Sequence, residues 1–258
     1  MRHFKIILLH FEHIVEQRAR SFVWLLVTAI NPLIYILFWK GTIRGAQFSL
    51  IVTYYVLVTI MGAFLMSHIE GDIAVNDIQY GQLTSYLVKP LSYYWKKLYE
   101  ELPYRVLQGF FGICILVMLT KVFKLSIQIT NTPNILLMSV CVMIMAFFIA
   151  YTFKAVLGLL AFWFVDVDGL FHLSEIIIIL FAGYIMPIDM MPKAWYQAAQ
   201  IMPFSSMIYY PIIVLQGQLN VAEIWSVLAK QSFWLIFFLI IYLIVWQRGI
   251  RKFTALGQ

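Results

Sequence analysis

The sequence predicts an all-α integral membrane protein: six transmembrane helices, an N-terminal amphipathic interfacial helix, and a re-entrant outward hairpin between spans 5 and 6. Three observations carry that fold class. The composition is 63% hydrophobic and 12% charged, with a mean hydropathy of +0.87, whereas a soluble domain carries about 25% charged residues. Six apolar runs approach the ~20 residues that cross a bilayer core. Four of the eight prolines, Pro187, Pro192, Pro203 and Pro211, crowd into one stretch that stays apolar between them. No segment between the runs is long enough to bury a core of its own, so residues 1–258 are read as a single membrane domain.

Residues 1–21 form the interfacial helix. Phe4, Leu8, Phe11 and Val15 recur at helical spacing, opposite His3, His10, His13, Gln17 and Arg20. Charges and histidines inside this run, and the lack of a small-residue cleavage site, argue against a signal peptide. His10 and His13 flank Glu12 without the H-E-x-x-H order of a zinc helix, so no metal site is expected. The six spans fall at about residues 22–39, 49–67, 104–120, 134–165, 172–186 and 232–246. Asn31-Pro32 predicts a kink in the first. The fourth is too long to stand upright and is expected to tilt. Residues 68–103 make the longest loop, with Glu70, Asp72 and Asp77, a Gly81 break, and a short helix-competent piece at 82–88 stopped by Lys89-Pro90. That piece keeps Leu83, Tyr86, Leu87 and Val88 on an otherwise polar loop, which reads as a docking handle for a cytoplasmic partner. Residues 185–217 form the re-entrant hairpin, because four prolines in about 25 residues preclude one straight helix. Trp24, Trp39, Trp95, Trp163, Trp195 and Trp246 fall near span ends, as interfacial anchors do.

Charge orients the chain. Of the 18 Lys and Arg, eleven fall on the side of the two termini, six on the other, and Lys154 lies within a span. This predicts a multi-pass plasma-membrane protein with both termini cytoplasmic and the proline-rich segment facing outward. The net charge of +6 sits at span ends, where anionic membrane lipids account for it without nucleic acid. Cys114 and Cys141 both lie inside apolar runs and are expected to be small buried hydrophobes, not a disulfide. Lys154 needs a partner or water, since an intramembrane charge costs a few kcal/mol. Glu175 on the next span, or Asp166 and Asp168 at the turn between, are the expected partners. Contact with an anionic substrate group and snorkelling to the inner surface both remain open for it.

The run Ile78-Gln79-Tyr80-Gly81-Gln82-Leu83, followed by Leu87-Val88-Lys89-Pro90-Leu91, resembles a stretch shared by ABC type-2 exporter permeases. Gly183, Met186-Pro187, Met191-Pro192 and Pro203, ending near Gln216-Gly217, look like the same family's outward hairpin. The resemblance covers essentially the whole chain. It implies a permease subunit that pairs with a second copy or a sister permease, and with two cytoplasmic ATPase subunits that bind the ATP and Mg. By the same resemblance, residues 82–88 are a coupling helix, with Gly81, Gln82, Leu83, Tyr86, Leu87, Lys89 and Pro90 at the ATPase contact. Gly183, Met186, Pro187, Met191, Pro192 and Pro203 would form the outward gate. The family pattern does not explain Lys154.

The missing chemistry agrees with a transport subunit that is not itself an enzyme. No G-x-x-x-x-G-K-[ST] phosphate loop occurs, so ATP hydrolysis is expected in a partner chain. The alternative is a gradient-driven exporter or channel without an ATPase. It is disfavoured because the acids cluster at span ends, with Glu175 alone placed to serve an ion path. A membrane enzyme acting on lipids lacks paired carboxylates, a metal cluster or a nucleophile and base. Lipid, drug, peptide and glycan substrates are not distinguished.

Overall fold

Twenty residues, AQFSLIVTYYVLVTIMGAFL, are apolar all round and form helix α1, Ala46–Leu65. The computed structural model to which it belongs describes residues 46–88, 91–123 and 127–253, with Ile34, Leu37 and Phe38 of a preceding helix. The expected interfacial helix 1–21, most of span 22–39 with its Asn31-Pro32, and Lys89-Pro90 lie outside the described residues.

After α1 the chain does not loop freely. Residues Asp72–Gln79 form one π-helical stretch, and Leu83–Leu87 form the five-residue helix α2. Helix α3, Tyr93–Phe123, begins eleven positions before the expected third span and contains Pro103. Its early start is explained by i,i+3 and i,i+4 ion pairs among Lys96, Lys97, Glu100, Glu101 and Arg105, which support a helix ahead of the apolar run. Helix α4, Pro133–Leu159, starts on a proline at its first turn, where no donor is needed. A 3-10 turn, Leu160–Phe162, extends it.

The fifth expected span is shorter than its apolar run. Helix α5, Asp168–Phe181, has 14 residues, about 21 Å, below the ~30 Å of a hydrocarbon core. The prolines then act as punctuation. Pro187 precedes the 3-10 turn Ile188–Met190, Pro192 is the N-cap of α6, Lys193–Ile201, and Pro203 opens the 3-10 turn Phe204–Ser206. Pro211 occupies the first turn of α7, Tyr209–Leu215, where its missing N–H is tolerated. Helix α8, Val221–Gly249, starts eleven positions before the expected sixth span, on a capping box in which Asn220 and Glu223 bond reciprocally. Among the described residues four helices, α1, α3, α4 and α8, are long and apolar enough to cross a membrane; α6 and the Phe204–Leu215 segment would make a fifth if taken as one span, with a bend of 72° between them. The described residues contain no strand.

Packing places two pairs side by side: α4 along α8, and α1 along α3, with α7 inserted against both α4 and α1. Buried Val142, Ala146, Ile149, Ala150 and Tyr151 of α4 form the centre of the core. The periphery is apolar too: Phe110 and Ile113 of α3 and Leu137 and Ile144 of α4 are exposed, as suits a surface whose solvent is lipid. Cys114 and Cys141 share this periphery and are exposed, which corrects their reading as buried hydrophobes. Both sit on the outward face of a helix whose other side makes the core.

One glycine fixes how the loop meets the bundle. A Cβ on Gly158 of α4 would lie 2.8 Å from the Glu70 carbonyl oxygen and 2.8 Å from the Ile73 Cβ. Gly158→Ala is therefore expected to cost roughly 1–3 kcal/mol through forced displacement. Gly71→Ala meets nothing within 4 Å at a helical φ of −65°, and is expected to be neutral or slightly stabilising. Thermal unfolding of the two variants in detergent checks the pair, and equal melting temperatures would contradict the packing described.

Candidate functional site

The features of interest lie at opposite ends of the bundle: the loop between α1 and α3, and the proline-rich segment between α5 and α8. At the loop end, three carboxylates that sequence alone would place in water are buried instead. Glu70 is 5% exposed, Asp77 1% and Glu101 8%.

Glu70 ties the loop to α4, and Asp77 and Glu101 tie the loop and the end of α1 to α3. Lys154 Nζ of α4 donates to Glu70 Oε1 at 2.5 Å. Lys97 Nζ of α3 lies 2.7 Å from Asp77 Oδ2, which also accepts from the Tyr93 hydroxyl at 2.5 Å. Glu101 Oε1 accepts from Ser67 Oγ at 2.9 Å and from Arg105 Nε at 2.8 Å. The Arg105 Nη1 then donates to the carbonyls of Ala63 and Met66, satisfying orphan acceptors at the end of α1. Burial pushes the Glu70 carboxyl above the usual carboxylate range, with the Lys154 ammonium pulling the other way. Burial also raises the Asp77 carboxyl, opposed by Lys97 and the Tyr93 hydroxyl.

Lys154 thus has a partner 84 positions upstream, not Glu175, Asp166 or Asp168. Glu175 is near enough for its charge to reach Glu70, yet forms no ion pair with Lys154 among the described residues. Lys154 is 1% exposed, so neither snorkelling nor contact with solvent describes it. The reason is geometric: Gly158, one turn further along α4, lets the backbone at Glu70 approach closely.

The clamp presents α2. Gly81, at φ +75°, makes the turn before it, a conformation that favours glycine. Leu83 is fully buried, whereas Leu87 is 45% and Val88 83% exposed. Tyr86 is half-buried: its ring lies under the Lys96 ammonium at 3.6 Å and edge-on to Tyr93 at 5.4 Å. Gln82, Thr84 and Ser85 are exposed. The four apolar residues that mark this piece in the sequence therefore divide, Leu83 and Tyr86 as anchors and Leu87 with Val88 as the free face. Tyr93 also stacks on Trp246 of α8 at 4.7 Å, so the same clamp touches α8.

At the other end, the breaks between prolines leave backbone carbonyls that side chains collect. Gly183, at φ +90°, turns the chain out of α5, and its carbonyl accepts from the Tyr54 hydroxyl at 2.7 Å. The Ile185 carbonyl accepts from Tyr55 at 2.7 Å. Lys230 Nζ donates to the Gln200 carbonyl at 2.8 Å and to the Tyr210 hydroxyl at 3.0 Å, a cation at the C-terminal end of α6. Gln231 Nε2 bridges the carbonyls of Val142 and Ser206. Lys230 and Gln231 lie nine and ten positions into α8, so the bend between α6 and α7 is level with a point about 13 Å along α8. Beyond the bend, Gln216 at the end of α7 donates to the Leu50 carbonyl near the start of α1. Of the residues marked for this segment, Gly183, Pro187 and Pro203 are buried, Met186 and Met191 half-buried and Pro192 exposed. Sequence reasoning missed Lys230, Gln231, Tyr54 and Tyr55. The Asn220…Glu223 capping signature was the available signal that α8 begins early and carries Lys230 inside it.

A family profile described as ABC-2 family transporter protein matches residues 23–257 of the 258. The chain belongs to the ABC-2 transporter family. It is a multi-pass membrane permease of an ABC transporter, a transport subunit in a family whose permeases work with ATPase subunits. No curated protein matches the chain.

The buried pair sets a measurable energy. In this ABC-2 permease, Lys154→Met or Glu70→Leu alone leaves a buried charge unpartnered and is expected to cost about 3–5 kcal/mol. The double variant is expected to recover most of that loss. A double-mutant cycle of unfolding in detergent reads the coupling, and additive losses would show that the two side chains act independently.

Proposed function

We propose that this permease is the membrane-spanning subunit of an ATP-driven exporter, working as a dimer with itself or a sister permease. Two cytoplasmic ATPase subunits bind its 82–88 segment. The ATP and Mg sit in those partners, and this chain contributes no catalytic group. Both termini are cytoplasmic in this reading, six spans cross the plasma membrane with α5 as the fifth, and residues 185–217 form a re-entrant hairpin on the outward side. Movement at the loop end tilts α1, α3 and α4 and releases substrate past Gly183, Met186, Pro187, Met191, Pro192 and Pro203.

One observation carries the coupling part of this reading. A five-residue helix, buried on Leu83 and braced on α3 and α4 by ion pairs, holds Leu87 and Val88 out from the bundle. Exposed apolar residues on a rigid mount suit a protein contact better than a connector whose role is to stay in water. Lys89 and Pro90, which follow directly, complete the segment on the family pattern. The hairpin reading is supported by the bend of 72° at the elbow and by the bonds from Lys230 and Gln231 that hold it against α8. The substrate is an amphiphile or polymer of the lipid, drug, peptide or glycan kind.

Leu83 and Leu87 now make different tests. Leu87→Glu is expected to leave the amount of chain in the membrane unchanged and to remove ATPase subunits from a mild-detergent pull-down, with loss of vanadate-sensitive ATPase activity in the eluate. Leu83→Glu buries a charge and is expected to lower the amount of folded chain itself. Retention of a phosphate-loop ATPase by Leu87→Glu would remove the contact assigned here. A wild-type chain that purifies without any ATPase would favour the gradient-driven alternative.

A further inference from the structure

A small cleft opens at the end of the bundle opposite α2, beside the turn that follows α5. Its volume is about 190 Å³. That is below the ~300–1,000 Å³ of sites for drug-sized molecules. Leu50, Ile51, Met190 and Ile213 give it apolar walls, and the Tyr54 side chain lines it as well. Asp189 is the one charged residue among those that line it.

No described cation is paired with Asp189. Among the described residues no Lys or Arg nitrogen lies within 4 Å of it, including Lys193 four positions on. The side chain is exposed, and the Tyr54 and Tyr209 hydroxyls are near enough to feel its charge. A hard metal ion would want six or more oxygens, and no cluster of three His, Cys, Asp or Glu exists among the described residues. Apolar walls, a tyrosine and one carboxylate instead match a compact cation that carries its own alkyl surface.

We propose that the Asp189 cleft binds a small organic ammonium group, either a free amine or the ammonium headgroup of an amphiphile. The carboxylate supplies the charge, and the walls cover the alkyl groups around the nitrogen. This assignment does not depend on ATP drive or on the direction of transport.

Saturation-transfer NMR on the methyl signal of tetramethylammonium tests it, with the full chain and its co-purifying partners in nanodiscs of an uncharged galactolipid. Saturable millimolar binding is expected, weakened at least about tenfold by Asp189→Asn, a difference of ~1.4 kcal/mol. Met190→Trp, which fills the cleft and keeps the carboxylate, is expected to abolish the signal. Uncharged tert-butanol, of similar size, is expected to show no saturation. Phosphatidylcholine nanodiscs identify the source: a weaker apparent affinity for tetramethylammonium there assigns the site to a lipid headgroup, and an unchanged affinity assigns it to free amines. The proposal is overturned by absence of saturable binding, by equal binding of tert-butanol, or by indifference to Asp189→Asn.

Discussion

A buried ion pair between Lys154 of α4 and Glu70 of the following-on loop from α1 is the interaction on which the loop end depends. A lysine in an apolar helix is costly unless a counter-charge reaches it. Here the counter-charge arrives on the backbone of residues 70–79, which can lie against α4 only because Gly158 has no side chain to obstruct it. Once that backbone is in place, the remaining contacts follow from its course. Asp77, one π-helical stretch further along, comes up against Lys97 and Tyr93 of α3. Leu83, past the Gly81 turn, then reaches the core and is fully buried. The pair leaves Glu70 Oε2 without a hydrogen-bond partner, and Asp77 Oδ1 is in the same condition. Buried pairs of this sort add little net stability over an apolar replacement, but they enforce one arrangement. Their weight lies in holding α2 at a defined place.

The opposite end answers to a different constraint. A chain broken four times by proline exposes carbonyls, and in surroundings without water each needs a donor. Tyr54, Tyr55, Lys230 and Gln231 provide those donors from two different helices, α1 and α8. The bonds these four make to the segment's carbonyls are neutral, apart from the singly charged one from Lys230. Such joints are weaker than the double-charged clamp at the loop end.

How much of this was legible depended on how local the signal was. The apolar runs announced α1 and α4 directly, and the crowded prolines announced the break after α5. The starts of α3 and α8 were misplaced because the apolar run was read without its polar prelude. The Lys-Glu spacing before Pro103 and the Asn220…Glu223 box were both present and both local. The partner of Lys154 was not legible in that sense, since Glu70 stands 84 positions away and Glu175 looked nearer in a linear count of spans. The division of Leu83 from Leu87 was also beyond reach. A five-residue helix is too short for a hydrophobic period to show which side faces the core. In the proline-rich segment the breaks could be read from the residues, but not the side chains that accept their consequences, because every donor comes from a distant helix.

Two helices connect the ends, and that bears on how motion can pass between them. Helix α1 carries Tyr54 and Tyr55 at its middle, bonded to the turn after α5, and meets Arg105 and Glu101 at its C-terminal end. Helix α4 offers its Val142 carbonyl to Gln231 and its Lys154 to Glu70, twelve residues or about 18 Å apart. On the proposed coupling, buried ion pairs fix the loop to α4 and α3 and the chain joins it to α1, so a displacement imposed on α2 is transmitted as a tilt of these helices and is not absorbed in the loop. A tilt of about 10° over that ~18 Å moves the far end of a rod by about 3 Å. The bonds that hold the elbow are 2.7 to 3.1 Å long, and a shift of that size breaks them unless α7 and α8 move in company. On the proposed coupling, the elbow then has two arrangements available: bonded, as described here, or released, with Gly183 and Ile185 carbonyls free to find water. On that proposal, the loop is the lever and the proline-rich segment the part that yields.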